Sequence, residues 1–436
     1  MRIIFLAPLA LLTACDFGEI GLGGDETDTF KIADSSATTH LGDAIEGGND
    51  LTFQQLFEQG DGVVFKDTPD PSALLTATNA IDDDLDRSGR APLSVLSYNI
   101  ALLDVKLLGF IPYAQTPDLE ARRRASAGRI FERGADIVLL QELWIDQDVE
   151  EFIKTGEELG YRGFVQDRDG HNDGLGIFIK ETAIAGGTST DVDFAAYGAQ
   201  NGQEYFPGPG IQRGWLSVSF THPEIGRIHA FDTHMQAYPE NWLGRMKQGR
   251  EIGIIMRQII DDEETGDDLV LVGGDFNAGP YYKDAKWTVP DGSVQDRWFH
   301  NTLSYPVMLT YADMVDLAIM GRPAADAIAD VTLGNTVVND AEKSATIPGA
   351  EEGWCDRTPI TTFSASDCNT LYFAQYAGTE YPARLDHIFG HNTDGTRIVV
   401  AKSELVFTET QPFGDTEVEQ SDHYGVAIDM LVTPGR

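Results

Sequence analysis

LVLVGGDFNAGP, residues 269–280, decides how the rest of the chain is read. Four apolar residues in a row signal a strand covered on both faces, as in the centre of an α/β layer. The run ends in Gly273-Gly274, and then Asp275 and Asn277 stand two apart. Glycines at a strand end let backbone or ligand approach closely. A carboxylate and a carboxamide just past a buried strand stand where open α/β sheets hold their ligands.

The same alternation recurs on either side. Residues 93–99 (LSVLSYN), 136–142 (DIVLLQE), 174–180, 214–220, 227–235, 384–390 and 424–430 read as further strands. Residues 116–134 read as a helix, with Thr116 as N-cap and Pro117 at its first position. Residues 240–262 form a second, longer helical pattern. Strands interleaved with helices point to a layered α/β domain over residues 91–436. Within it, residues 281–383 are aromatic and loop-rich, which marks a functional insertion or an accessory subdomain. The run Arg122-Arg123-Arg124 reads as a solvated helix face, and His229 as a satisfied core or surface histidine.

Several of these strands carry polar groups at their ends: Asn99, Glu142, His234, Asp275 with Asn277, and Asp386, with Asp422 and His423 just before the last strand. A parallel or mixed sheet brings such ends to one rim. Glu142 and Asn99 offer hard oxygen donors suited to Mg²⁺ or another divalent cation. His423, polarised by Asp386, has the makings of a general base on water. Asp275 is placed to align that water, and Asn277 and His234 to donate to phosphoryl oxygens as charge builds. Together these residue types describe metal-assisted in-line hydrolysis of a phosphate ester.

SYN (97–99), QE (141–142), DTH (232–234), GGDFN (273–277), RLDHIF (384–389) and SDH (421–423) occur in that order. In this the chain resembles the endonuclease/exonuclease/phosphatase superfamily, which includes pancreatic deoxyribonuclease, abasic-site endonucleases, inositol polyphosphate 5-phosphatases and neutral sphingomyelinases. The resemblance implies a four-layer α/β sandwich, two packed mixed β-sheets flanked by helices. It implies Glu142 as principal metal ligand with Asn99 beside it, Asp422 as an auxiliary metal-site residue, and His423 as general base paired with Asp386. Asp275 and Asn277 then resemble the water-positioning and phosphate-binding pair, and His234 the second histidine of the nuclease and sphingomyelinase branches. THMQAYPENWLGRMKQGREI, the Arg213-Gly214-Trp215 step and EYPARLDHIF are most similar to the sphingomyelinase branch. That branch implies a phospholipase C activity releasing phosphocholine from sphingomyelin, with Arg213, His234 and Asn277 touching substrate. An exported nuclease and a phosphomonoesterase of the same superfamily are the alternatives, and a non-catalytic binding protein the last.

The rest of the sequence sets the setting. With 31 Lys+Arg against 70 Asp+Glu the formal net charge is −39. Such a surface repels polyanions, which counts against nucleic acid as partner and suits a zwitterionic lipid headgroup. Residues 1–15, MRIIFLAPLALLTAC, read as a signal peptide, and the Leu12-Thr13-Ala14-Cys15 ending resembles a bacterial lipoprotein box. Cys15 is then the lipidated residue, and residues 16–90 a flexible acidic tether and linker. The expectation is an exported lipoprotein anchored on the periplasmic or extracellular side of a membrane, with no protein partner implied. If Cys15 of the three cysteines carries lipid, Cys355 and Cys368 remain to form a disulfide in an oxidising compartment.

Overall fold

Among the described residues, twelve strands in two large sheets and four α-helices form the body of the domain. In chain order they are β1 Ala91–Asn99, α1 Leu119–Glu132, β2 Ile137–Gln141, α2 Asp146–Glu158, β3 Tyr161–Val165, β4 Gly176–Lys180, β5 Asp191–Ala196, β6 Gly214–His222, β7 Gly226–His234, α3 Trp242–Asp261, β8 Leu269–Asp275, β9 Met314–Asp316, α4 Leu317–Met320, β10 Asp386–His391, β11 Ile398–Val406 and β12 Gly425–Val432. Four small two-stranded ribbons lie between them. The computed structural model describes residues 88–107, 111–115, 118–165, 174–186, 188–197, 203–204, 211–237, 242–262, 264–278, 287–288, 294–295, 312, 314–320, 385–391, 397–413 and 416–435. The signal peptide, Cys15, the tether up to residue 87, Cys355, Cys368 and most of the 281–383 insertion fall outside them.

The strands form two six-stranded mixed sheets, ordered β11-β12-β1-β2-β4-β3 and β9-β10-β8-β7-β6-β5. Side-chain alternation makes the layers. Leu93 and Val95 of β1, Ile137 and Leu139 of β2, and Ile177 and Ile179 of β4 meet Leu216 and Val218 of β6, Ile228 of β7 and Leu269 and Leu271 of β8 in one core between the sheets. The intervening residues face the other way. Leu96, Tyr98, Val138, Leu140 and Phe178 pack under Ile130 and Phe131 of α1 and Phe152 of α2. Phe231, Val270, Val272 and Phe389 pack under Ile252 and Met256 of α3. Period-two strands with both faces apolar thus give helix, sheet, sheet, helix: a four-layer α/β sandwich. Each fully buried aliphatic side chain contributes roughly 1.5–3 kcal/mol to holding these layers together.

The structure corrects the reading of the chain in three places. Helix α1 begins at Leu119 rather than at residue 116, with Asp118 before it at φ 50 and no side-chain cap; Thr116 and Pro117, the expected N-cap and first position, lie outside the described residues. Within residues 281–383, where no regular element is expected, Met314–Asp316 adds a strand beside β10. Of the Arg122-Arg123-Arg124 run only Arg124 is solvated: Arg122 is fully buried and Arg123, also buried, is paired with Asp148 at 2.5 Å.

Candidate active site

Each sheet contains one parallel pair, β1 with β2 and β7 with β8. Parallel neighbours carry their C-terminal ends to the same side, so Asn99 lies level with Gln141, next to Glu142, and His234 lies level with Asp275. Antiparallel β10 starts there, with Asp386 opposite Asp275. Antiparallel β12 starts beside the end of β1, with Ser97 opposite Val426, and delivers His423 just before it. The register of two sheets therefore gathers the residues singled out in the sequence at one end of the sandwich.

The two glycines of the GGDFN stretch have separate duties. A Cβ on Gly274, at φ +146, would stand 1.9 Å from the Thr233 carbonyl of the adjacent strand. A Cβ on Gly273 would stand 2.5 Å from Leu139 Cδ1 of the other sheet. One glycine lets β8 lie against β7, and the other lets the sheets close on each other. Their part is packing behind the site, not room for a ligand.

Past the strand ends the backbone turns sharply. Glu142 sits at φ 66 and Asn277 at φ 48, both in the left-handed region that a side chain enters only under constraint. Asn277 is held by its N–H donating to Asp275 Oδ1 at 2.9 Å and by its side-chain amide donating to the Met235 carbonyl at 3.0 Å. Asn99 lies at the centre. Its Nδ2 is 3.2 Å from Glu142 Oε1, 3.1 Å from Asp275 Oδ2 and 3.5 Å from His423 Nε2, while its Oδ1 accepts the Ala101 N–H at 3.1 Å. Asn99 thus presents its amide nitrogen to the carboxylates and ties the two halves of the site together. Its expected place as an oxygen ligand requires the side chain to turn.

His423 hydrogen-bonds through Nδ1 to Asp386 Oδ2 at 2.9 Å and points Nε2 at Asp275 Oδ2, 3.7 Å away. His234 Nε2 approaches the same oxygen at 3.3 Å. Trp144 lies 6.3 Å from the His234 ring, centroid to centroid, and the Arg213 guanidinium lies 6.0 Å over Trp144, so Arg213 belongs to the same rim. Asp422 is buried close by and is the strongest charge acting on Glu142.

These packed charges perturb one another. Burial, then Asp386, pushes Asp275 up to about 7, against the pull of His423 and the hydrogen bonds from Asn277 and Asn99. Burial, then Asp422, raises Glu142 above the usual carboxylate range. Burial disfavours a charged His423, but Asp386 and Asp275 outweigh it and hold the imidazole up at about 10. His234 goes the other way: burial, with Arg213 and His423 nearby, keeps it neutral. Two histidines a few ångströms apart therefore have opposite charge states, one an acid–base group coupled to a carboxylate and one a neutral hydrogen-bonding ring.

Carboxylates lifted in this way mark a place short of positive charge. Asp275, Asp386 and His423 offer ligand atoms all within 4.8 Å of one another. Glu142 stands across Asn99 from that group and feels the charge of Asp422. A set made of carboxylate oxygens and imidazole, without thiolate, fits a hard divalent cation.

Three residues beside the site escaped the sequence reading. Gln141 donates to buried Asp232 across the sheets at 2.7 Å. Ser421 donates to the Asn99 carbonyl at 2.6 Å and accepts the His423 N–H at 3.1 Å. Both lie inside the QE and SDH motifs, which carry no hint of which member faces inward. Arg122 is the third, and its signal was present: with Leu119, Ser126, Ile130 and Arg123 it falls on the inward stripe of α1.

A sequence profile of the endonuclease/exonuclease/phosphatase family matches residues 96–423. The chain belongs to this family. Its enzymes are hydrolases of phosphoester bonds that depend on a divalent metal. No curated protein matches the chain closely by sequence. Among solved structures, the chain is similar to sphingomyelinase C from Streptomyces griseocarneus, at 16% identity over 78% of this chain and 99% of that one, with a TM-score of 0.49. It is also similar to D. rerio TDP2 complexed with a single-strand DNA product, at 16% identity over 78% and 99%, TM-score 0.46. The human Nocturnin catalytic domain with a bound sulfate anion resembles it at 15% identity over 80% and 99%, TM-score 0.44.

Proposed function

We propose that the protein is a Mg²⁺-dependent phosphodiester hydrolase of the phospholipase C type, cleaving a sphingomyelin-like lipid to release phosphocholine. The observation that carries the reading is the Asp386–His423 pair at 2.9 Å with Nε2 directed at Asp275, beside Glu142. At about 10, His423 holds a proton near neutrality in the cation-free protein; a divalent charge on the neighbouring carboxylates would lower it, and the imidazole oriented by Asp386 would then be suited to deprotonating a water for in-line attack. Glu142, Asp275 and Asp422 are the residues to hold the cation, which supplies Lewis acidity toward a phosphoryl oxygen. Asp386 fixes the His423 tautomer, so that Nε2 is the atom that takes and returns the proton. Asp275 Oδ2, which faces both imidazoles and the Asn99 amide, holds the water. His234, neutral, and Arg213 stand where a phosphoryl oxygen gains charge.

The net charge of −39 favours a zwitterionic lipid over a polyanion as substrate. A lipid anchor at Cys15 would hold the enzyme at a membrane surface, and replacing Cys15 by Ser should release it to the soluble fraction.

The test runs phosphocholine release from sphingomyelin vesicles beside fragment release from DNA, each with Mg²⁺, with EDTA and with His423→Ala. The expected result is metal-dependent phosphocholine release that His423→Ala abolishes, with DNA untouched. DNA cleavage without lipid turnover would keep the site and overturn the substrate. Activity on neither would overturn the reading.

A further inference from the structure

The ladder between β1 and β12 ends at Ser97↔Val426. Beyond it the two chains part, and the parted segments carry Asn99 on one side and Asp422 and His423 on the other. Two backbone segments outside the β ladder approach each other there in a seam. Arg122 of α1, fully buried, fills the gap. Its Nη2 donates to the Ala101 carbonyl at 2.6 Å, and its Nη1 donates to the Gln420 carbonyl at 2.8 Å and approaches the Ile100 carbonyl at 3.4 Å. A planar guanidinium serves several carbonyls in one fork, a geometry that an ammonium cannot copy.

Two further observations bear on the same seam. Ala101 sits at φ 49, a left-handed conformation that alanine holds only when its surroundings fix it. Its carbonyl is the one bonded at 2.6 Å. Ser421 closes the seam nearer the site, donating to the Asn99 carbonyl at 2.6 Å. Among the charged groups, Asp422 acts most strongly on the guanidinium, with Glu142 and Asp118 also acting on it.

We propose that Arg122 is a positioning residue, fastening the His423-bearing segment to the end of β1 so that His423, Asn99 and Glu142 keep their mutual placement. The role rests on the reading of the site as a phosphodiester hydrolase, although the fastening does not. Arg122 touches no reacting atom. It sets where the base stands relative to the metal-side carboxylates, and a displacement of about 1 Å at such a site costs on the order of 100-fold in rate.

The experiment uses the full chain with Arg122→Lys, which keeps the charge, and Arg122→Gln, which keeps an amide donor without charge. Hydrogen exchange of peptides covering residues 100–102 and 419–424 is measured beside kcat and KM for phosphocholine release at saturating Mg²⁺. The expected result is faster exchange in those two peptides only, kcat lower by on the order of 100-fold in both variants, and KM within about threefold of the wild type. Recovery of kcat and exchange protection by Arg122→Lys would overturn the proposal, because charge alone would then suffice. Exchange raised throughout the domain, or neither variant folding, would overturn it too, by making Arg122 a strut of the whole core. A wild type inactive on every phosphodiester, with exchange raised in the two peptides only, would sink the functional reading and leave the fastening standing.

Discussion

Asp386→Asn separates the electrostatics of the His423 pair from its shape. The substitution keeps the size of the side chain and removes the charge 2.9 Å from Nδ1. In the native protein His423 rises from 6.5 to about 10. That difference corresponds to roughly 5 kcal/mol of preference for the charged imidazole in the folded state. Asp386 is the largest of the three charges that lift it, ahead of Asp275 and Asp422, so its loss forfeits the largest share of that preference. The direction with pH follows from a folded value above the unfolded one. The stabilisation is fully present below pH 6.5, where the unfolded chain also binds the proton, and it fades as pH rises through about 10. Urea unfolding of wild type and Asp386→Asn, in cation-free buffer near pH 6.5 and again near pH 10, gives the two gaps. The wild type should be the more stable at the lower pH, with the gap closing at the upper. A gap that holds constant with pH, or widens, would refute the coupling and with it the assignment of His423 as a carboxylate-polarised base.

Three other perturbations read different parts of the structure. Gly274→Ala should abolish soluble protein or lower Tm sharply, since its Cβ meets backbone at 1.9 Å, whereas Gly128→Ala in α1, with nothing within 4 Å, should add about 0.4–1 kcal/mol in denaturant unfolding. Gln141→Met removes one donor from Asp232 between the sheets and should cost about 1–3 kcal/mol by the same measurement; a neutral result would mean the cross-sheet bond is idle. Cation binding should expel protons, because Asp275 stands at about 7, so calorimetry in buffers of different ionisation enthalpy should show affinity rising with pH below neutrality, and Asp275→Asn should flatten that rise.

The eight strands legible in the sequence are the eight interior strands of the two sheets, and the four that were not, β3, β5, β9 and β11, are the four edges. The reason is physical. An interior strand in a four-layer sandwich is apolar on both faces and stands out as a run, as Ile137–Gln141 does with every residue buried. An edge strand such as β5 keeps Val192, Asp193 and Phe194 exposed and looks like loop. Helix α2 was missed for a similar reason, its inward face being little more than Phe152 and Gly156 among acids. The site was more legible than the edges because its members terminate the interior runs, where polarity after burial is conspicuous. The sequence had no means of showing which amide atom of Asn99 faces the carboxylates, or that a basic run hides its first member in the core. Both depend on what stands across a gap between segments far apart in the chain.

The core between the sheets has a consequence beyond stability. Glu142 and Asn99 hang from one sheet, and Asp275, Asp386 and His234 from the other. The spacing of the two groups is therefore a dimension of the hydrophobic filling between them, set by side chains such as Leu139 and Leu271. Those side chains act like the shim in a pair of calipers. Trimming or enlarging one of them changes the gap at the tips, although no reacting group has been touched. In a screen for altered turnover, many hits should therefore be aliphatic exchanges in the midlayer, well away from the polar rim. A variant evolved for heat tolerance by tighter filling there should carry a changed metal preference along with its higher melting point.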